Sequence, residues 1–241
     1  MTDPFNPKSF PLHDAARDGN ENIVRQLIRD DPKAILAKDE DERTPLFWAA
    51  SSGNALILSM LLKAISENKK LSSDFDIDDT DAAGWTLAHI AASIGSVSVL
   101  EALLPYDPDL TATSNNGQIP LHLAVSKGHT QLASLLISKQ RSVGVKDKFG
   151  QAPLHRAAAI GSLPLVKLLI DAKAPLNATD VNGWTPLHHA LAEGHGQVAI
   201  ALIEAGANYD VKDSEGKTAL QVAADSKTED HVRGAIERLK K

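Results

Sequence analysis

The stretch that decides the fold is residues 184–195, which read WTPLHHALAEGH. Four potential metal ligands, His188, His189, Glu193 and His195, lie within it. Such a cluster could form a metal site in an enzyme, or it could belong to a repeated structural unit. The two interpretations are separated by how often the same phrase recurs in the chain.

The phrase recurs six more times, as FPLHDAARDGN, TPLFWAASSGN, TLAHIAASIGS, PLHLAVSKGHT, APLHRAAAIGS and the weaker TALQVAADSKT. Its leucine position falls at Leu12, Leu46, Ala88, Leu121, Leu154, Leu187 and Leu220. The successive spacings are 34, 42, 33, 33, 33 and 33 residues. A period of about 33 residues with a T-P-L-H-x-A core is the signature of the ankyrin repeat.

The repeats predict an all-α fold, an ankyrin-repeat solenoid of seven repeats, each a helix-turn-helix followed by a hairpin loop. We expect a single domain over residues 1–241, because no repeat buries its apolar face alone. The first and last repeats should act as caps. The predicted repeats span about 8–39, 40–81, 82–114, 115–147, 148–180, 181–213 and 214–241.

Each part of the phrase has a physical reason. Thr44 and Thr185 can cap the following helix, and Pro45 and Pro186 fit its first position, where no amide hydrogen is needed. Gly194 and its counterparts, seven residues after the leucine position, can end the helix in a left-handed conformation.

The second repeat is irregular, since the 42-residue spacing adds nine residues within KAISENKKLSSDFDIDD. This predicts a longer second helix or an enlarged loop.

Composition excludes several classes of protein. Hydrophobic residues make up 43% of the chain and aromatic residues only 4%, which predicts a folded core of small aliphatic side chains. A net charge of −6 argues against nucleic acid as the partner. The chain has no cysteine, no membrane-length apolar stretch and no recognisable signal peptide, so we expect a cytoplasmic and nuclear protein.

The repeats also bear on the metal interpretation. His188 occupies a position that is histidine in five of the seven repeats, where it normally hydrogen-bonds between repeats. His189 and Glu193 share a helix face, but a zinc site needs a third or fourth ligand. No phosphate loop, nucleophile elbow or metalloprotease motif is present. We therefore expect no metal, no cofactor and no catalytic activity, with a metal-dependent hydrolase as the least favoured alternative.

A protein partner would meet the first helices and the hairpin tips, which line one side of an ankyrin stack. Tryptophan is rare in the generic repeat and is a preferred residue at binding hot spots, although each tryptophan could equally pack on a neighbouring repeat. The predicted partner-binding residues are Asp14, Asp39, Asp41, Arg43, Trp48, Asp81, Trp85, Ile90, Ser93, Ser126, Lys127, Lys148, Phe149, Arg156, Trp184, His189 and Glu193.

Charge is distributed unevenly along the chain. Residues 1–81 carry 16 acidic and 10 basic side chains, residues 82–160 carry 4 and 6, and residues 161–241 carry 11 and 9. An acidic first third followed by a basic middle suits a partner with the opposite order of charges. Such complementarity sets orientation and association rate more than affinity.

The motifs DAAGWTLAHIAASIG, LHLAVSKG and KDKFGQAPLHRAAAIGSL resemble the gankyrin family, the ankyrin-repeat chaperones of proteasome regulatory-particle assembly. The resemblance implies binding to the C-terminal helical domain of one base ATPase subunit, of the 6B type, by a protein that is monomeric when free. It places Asp41 and Asp81 in an acidic set and Lys127 and Arg156 in a basic set. The family's L-x-C-x-E motif is HALAE here, so retinoblastoma-type binding is not carried over. The alternative is a generic ankyrin adaptor or inhibitor of a kinase or transcription factor.

Overall fold

The computed structural model describes residues 10–139 and 142–239, and this part of the chain contains helices and turns but no β-strand. One isolated antiparallel bridge joins Lys212 to Thr218. The predicted all-α class is confirmed. The helices form a first compact unit that ends at Asn115 and a second that begins at Asn116. The predicted starting point near residue 8 and the last two lysines lie outside the described residues.

The first unit consists of helix pairs whose first helices pack side by side, α1 on α3 and α3 on α6. Its second helices, α2, α4 and α7, pack on one another in the same order. Short 3₁₀ helices follow α2 and α7. The elements are α1 (Pro11–Arg17), α2 (Glu21–Asp30), a 3₁₀ helix (Pro32–Leu36), α3 (Pro45–Ser51), α4 (Ala55–Glu67), α5 (Lys69–Asp74), α6 (Leu87–Ile94), α7 (Val97–Leu103) and a 3₁₀ helix (Leu104–Tyr106).

The second unit repeats this arrangement more regularly. The first helices α8, α10 and α12 are neighbours in that order, and so are the second helices α9, α11 and α13. Its elements are α8 (Pro120–Ser126), α9 (Thr130–Lys139), α10 (Pro153–Ala159), α11 (Leu163–Asp171), α12 (Pro186–Ala192), α13 (Gly196–Glu204), a 3₁₀ helix (Ala219–Val222) and α14 (Ser226–Leu239). In the last repeat the first helix is therefore reduced to a 3₁₀ turn.

The core is aliphatic, as the low aromatic content predicted. Leu61, Leu100 and Leu132 are fully buried, and the paired alanines Ala49 and Ala50 have no exposed surface. Small side chains at that pair let α1, α3 and α6 approach one another closely. Leucine and alanine also have high helix propensity, so local preference and packing favour the same structure.

Helices α3 and α12 begin, as predicted, at Pro45 and Pro186, but their caps differ. The side chain of Thr185 accepts the backbone N–H of His188, while the ring of His188 accepts the backbone N–H of Thr185. Thr44 makes no side-chain cap hydrogen bond, so that prediction was wrong. Phe47 occupies the position of His188 in this repeat and has no ring nitrogen to complete the reciprocal pair.

The helix and hairpin turns need left-handed backbone at defined points. Gly95 ends α6 with φ +75°, as predicted for this glycine position. Gly183, at a hairpin tip, has φ +76°, and a Cβ there would lie 2.9 Å from the backbone nitrogen of Ser214 in the next hairpin. Glycine is therefore required at position 183 for two reasons, its positive φ and the close approach of the next hairpin.

The nine additional residues of the second repeat form helix rather than an open loop. Helix α4 extends over 13 residues, and the six-residue α5 follows it directly. The side chain of Asn68 accepts the backbone N–H groups of Lys70 and Leu71 and so caps α5. The prediction of a longer second helix is confirmed, and the extra helix α5 is an addition that the spacing alone did not predict.

Candidate protein-binding surface

A buried or half-buried aspartate begins five of the hairpins and organises the surrounding backbone. In the structure each repeat is counted from this aspartate, which is one residue before the start predicted from the sequence. One carboxylate oxygen of each accepts the backbone N–H groups two and four residues later, at 2.9–3.0 Å. This double acceptance holds the hairpin tip in a fixed turn. The five are Asp39, Asp81, Asp147, Asp180 and Asp213.

The second oxygen of three of these aspartates accepts a side chain nine residues later, on the first helix of the same repeat. The donors are Trp48 Nε1 at 2.8 Å, Arg156 Nη2 at 2.8 Å and His189 Nε2 at 3.0 Å. Such a donor is needed because burying a carboxylate without a hydrogen-bond partner costs free energy. These three predicted partner-binding residues therefore also fasten hairpin to helix.

The other two aspartates have an apolar residue nine positions later, Ile90 or Val222, which cannot donate. Their donor comes instead from the preceding repeat. Arg43 donates through Nε and Nη2 to Asp81, at 3.1 and 2.9 Å. Trp184 Nε1 donates to Asp213 at 3.1 Å. These bonds connect adjacent repeats within one unit.

These contacts set the charge state of Asp180 and Asp39. Although burial raises the pKa of Asp180, the donors from the Trp184 backbone, His189 and the Asn182 backbone together hold it below the ordinary value. The pKa of Asp39 is also below its ordinary value. Burial raises this pKa, but the hydrogen bonds from the Trp48 side chain and from two backbone N–H groups lower it by more. Both carboxylates therefore remain ionised near neutral pH.

The three tryptophans are half-buried and all contact the protein itself. Trp48 lies with the guanidinium carbons of Arg17 and Arg43 at 5.7 and 6.0 Å from its ring, within the range of a cation–π contact. Trp85 and Trp184 each stack on the histidine four residues later, with ring centroids 6.4 and 6.2 Å apart. Each ring therefore has a structural role, and each keeps an exposed part.

The structure corrects two of the predicted surface residues. Asp81 is 5% exposed and Ile90 is 4% exposed, so neither presents a side chain to a partner. Asp81 is enclosed because it receives Arg43 and two backbone N–H groups of its own hairpin. Ile90 is enclosed because it is an apolar side chain on α6, where every residue from Leu87 to Ala92 is buried.

The other predicted residues retain accessible surface. Six of them, Asp41, Lys127, Lys148, Phe149, Glu193 and the partly exposed Asp14, are the most open. Asp14 pairs with Arg17 at 3.1 Å. The remaining ones, Asp39, Arg43, Trp48, Trp85, Ser93, Ser126, Arg156, Trp184 and His189, are half-buried.

Three exposed apolar residues in the described part of the second unit were absent from the predicted set: Val181 at 67%, Ile160 at 42% and Leu239 at 54% exposure. Ile160 lies in the same repeat as Phe149, which is itself 56% exposed, and Val181 lies in the next repeat. The backbone N–H of Val181 donates to the carbonyl of Phe149 at 3.0 Å, so the two hairpin tips are directly joined. An apolar residue between Asp180 and Gly183 in a hairpin otherwise made of polar residues was the available signal.

The histidines of the repeated phrase are structural. His122 and His155 accept the N-cap backbone N–H through Nδ1 and donate through Nε2 to carbonyls of Gln151 and Ala178, each at 2.9 Å. His188 donates to Lys217 in the same way at 3.3 Å. Burial lowers the pKa of His155 to about 4, and that of His122 and His188 in the same direction.

The potential ligands of the opening stretch are thus used separately. His189 binds Asp180, and His195 Nε2 lies 3.0 Å from the carbonyl oxygen of Ala159. Within residues 10–139 and 142–239, no group of three or more His, Asp or Glu side chains is arranged to hold a metal ion. In the same part of the chain, no helix has the length and apolar character needed to cross a membrane.

Comparisons with known proteins agree with this architecture. A family model described as ankyrin repeats in three copies matches residues 2–74, 65–147, 132–213 and 154–238. The crystal structure of the ankyrin repeat domain of Bcl-3, described as a unique member of the IkappaB protein family, is similar with a TM-score of 0.78. The two sequences are 28% identical, and the match covers 93% of this chain and 98% of the other.

Two curated relatives narrow the resemblance. The probable 26S proteasome regulatory subunit p28 of Saccharomyces cerevisiae is 43% identical over 109 residues, which are 44% of this chain and 45% of the relative. The 26S proteasome non-ATPase regulatory subunit 10 of Dictyostelium discoideum is 35% identical over 86 residues, 36% of this chain and 34% of the relative. Each match spans less than half of either protein. The family model covers almost the whole chain, so the chain belongs to the ankyrin-repeat family, and the predicted resemblance to its proteasomal members is confirmed.

Proposed function

We propose that this protein is a binding protein rather than an enzyme and that it acts as an assembly chaperone for the regulatory particle of the 26S proteasome. The observation that carries the proposal is its likeness to two ankyrin proteins named as proteasome regulatory subunits. The proposed partner is the C-terminal helical domain of one base ATPase subunit, of the 6B type. The proposed location is the cytoplasm and nucleus.

The charges available to such a partner support the proposal. In the first unit, the carboxylate of Asp41 is exposed and has no side-chain partner among the described residues. In the second unit, Lys127 and Lys148 are exposed and likewise have no acceptor there. Each unit thus offers a patch of its own, acidic in the first and basic in the second.

Charge alone would give a weak complex. An exposed ion pair contributes about 0.2–1 kcal/mol, so a few such pairs set orientation rather than affinity. Phe149 and Val181 supply the apolar part, because burying a large apolar side chain contributes about 1.5–3 kcal/mol. We therefore place the centre of the second unit's binding surface on these hairpin tips, with the exposed Lys127 and Lys148 as its charged residues.

The proposal is tested by capturing partners with the tagged full-length protein from its own cells. We expect one base ATPase subunit of the proteasome to be recovered. The variant Asp41→Lys with Lys127→Glu should weaken that complex by about tenfold or more, since each reversal replaces an attraction with a repulsion. Unchanged circular dichroism would show that the fold is intact.

A matched control keeps the same net charge. Glu101→Lys with Lys167→Glu reverses two exposed charges on second helices, one in each unit. This control should bind the ATPase like the unmodified protein. Recovery of no proteasomal ATPase, or equal weakening by the control, would contradict the proposal.

The likeness to Bcl-3 favours a second candidate, an ankyrin adaptor or inhibitor of a transcription factor or kinase. The same residues would serve it, and only the partner differs. Recovery of a transcription factor or kinase in place of an ATPase subunit, with the same sensitivity to the double charge reversal, would establish this alternative.

A further inference from the structure

The nine-residue insertion of the second repeat builds a pocket in the first unit. The cavity has a volume of about 420 Å³ and is bounded by the 3₁₀ helix Pro32–Leu36, by α5 and by the chain that follows α5 as far as Asp79. Its size falls in the range of roughly 300–1,000 Å³ that is typical of small-molecule sites. None of the predicted partner-binding residues lines it.

The floor and walls of the pocket are largely apolar. Phe47, Leu71 and Leu87 are buried beneath it, while Phe75 and Ile77 remain half-exposed on its side. Half-exposed apolar side chains that face a cavity lose water contact when an apolar ligand enters. The favourable free energy is roughly proportional to the apolar area that is covered.

The charged groups around this floor are not equivalent. Lys33 and Lys70 line the pocket, and neither ammonium group has an acceptor within residues 10–139 and 142–239. The third lysine, Lys38, already lies 3.6 Å from Glu42 and 4.0 Å from Asp79. Two cationic donors are therefore available to a ligand.

The carboxylates in the pocket are engaged by the protein to different degrees. Asp76 accepts the backbone N–H of Asp78 at 2.9 Å. Asp74 lies 3.2 Å from the hydroxyl of Ser73, whose proton goes mainly to the carbonyl of Lys70 at 2.8 Å. The third, Asp79, is the one that faces a lysine. The three carboxylates keep further acceptor positions, but each has a contact within the protein, whereas Lys33 and Lys70 have no acceptor among the described residues. An anion would satisfy these two lysines, and this favours an anion over a cation.

We propose that this pocket binds a small anionic amphiphile, an apolar body that carries one carboxylate. The apolar body contacts Phe75 and Ile77, and the carboxylate accepts hydrogen bonds from Lys33 and Lys70. The site is peculiar to this repeat, because the regular repeats with 33-residue spacing lack the residues that form α5. The proposal is independent of the proteasomal function.

The probe is decanoate, compared with decyltrimethylammonium, which has the same alkyl chain and the opposite charge. Isothermal titration calorimetry on the full-length protein should show saturable binding of one decanoate per chain and much weaker binding of the cation. The variant Lys33→Gln with Lys70→Gln should weaken decanoate by about tenfold or more, since two charge-assisted hydrogen bonds are removed. Phe75→Ala should weaken both probes.

Lys63→Gln with Lys69→Gln is the matched control. Both lysines are exposed, carry the same total charge and lie outside the pocket, so decanoate affinity should change by less than about twofold. The proposal is overturned if decanoate does not bind saturably, if the cation binds as tightly, or if the control weakens binding as much as the pocket variant. Circular dichroism would confirm that each variant is folded.

Discussion

Acidification should destabilise the second unit through the buried imidazole of His155. This side chain is 1% exposed. Its Nδ1 accepts the backbone N–H of Ala152 at 3.0 Å, and its Nε2 donates to the carbonyl of Ala178 at 2.9 Å. A proton on Nδ1 would abolish the first bond and place a charge in an apolar site. Burial, assisted by the neighbouring charge of His189, therefore lowers the pKa of His155 to about 4.

The direction and size of the effect follow from proton linkage. In the unfolded chain, histidine takes up a proton near its model value of 6.5, whereas in the folded protein His155 does so only near pH 4. Between these values the unfolded state binds more protons, so folding stability is present above about pH 6.5 and is lost as the pH falls toward 4. A shift of that size corresponds to about 3 kcal/mol.

The variant His155→Gln isolates this contribution. The last repeat already has glutamine at the equivalent position, where Gln221 Oε1 accepts the backbone N–H of Thr218 at 2.8 Å. Glutamine can therefore keep the cap without titrating. Between pH 7 and pH 4, we expect the free energy of unfolding of the unmodified protein to fall by about 3 kcal/mol relative to that of His155→Gln. Buried His122 and His188 are common to both proteins and cancel in the comparison.

The assay is urea unfolding at a series of pH values, followed by the fluorescence of Trp184 in the same unit. Its signal is isolated by placing Trp48→Phe and Trp85→Phe in every protein compared. His231→Gln, which replaces an exposed imidazole, is the matched control. The direct readout is the NMR titration of the His155 ring, expected with a midpoint near pH 4. A midpoint near 6.5, or a pH-independent difference between the two proteins, would refute the reasoning.

Three further substitutions test the architecture. Arg43→Gln removes two N–H donors from the buried Asp81 and should lower the free energy of unfolding by about 2–3 kcal/mol; a loss below about 0.5 would contradict the pairing. Gly183→Ala should lower the thermal midpoint more than Gly216→Ala, because both have positive φ but only the first Cβ would collide with the neighbouring hairpin. Asn68→Ala should cost about 0.5–2 kcal/mol and speed amide exchange at the start of α5; unchanged exchange would show that its cap is dispensable.

Much of the fold could be predicted because each repeat carries its own local signals. Proline at the start of the first helix, the glycine that ends it and the paired alanines between them recur with the period of the structural unit. The structure has a helix where this phrase occurs, and it has the longer helix α4 and the additional helix α5 where the period lengthens. The helix α5 was less predictable, because KKLSSD is short and polar and depends on Asn68 and on the burial of Leu71.

The candidate surface was less predictable because the exposure of a side chain depends on its neighbours. Asp41 and Asp81 are both hairpin aspartates in an acidic region, yet the first is exposed and the second is 5% exposed. The difference arises because Asp81 opens its hairpin and collects backbone donors, whereas Asp41 lies at a tip. The nine-residue interval from Asp39 to Trp48 is visible in the sequence and could have indicated the pairing.

The sequence by itself determined the repeat, its period and the places where backbone must turn, because these depend on interactions between residues close together in the chain. Only the tertiary structure decided the donor of each buried carboxylate. That donor can come from nine residues later, as Arg156 does for Asp147, or from the preceding repeat, as Trp184 does for Asp213. The donor is the side chain that packing within one unit brings within hydrogen-bond distance of the carboxylate. This is a relation in space that the period of the sequence does not contain.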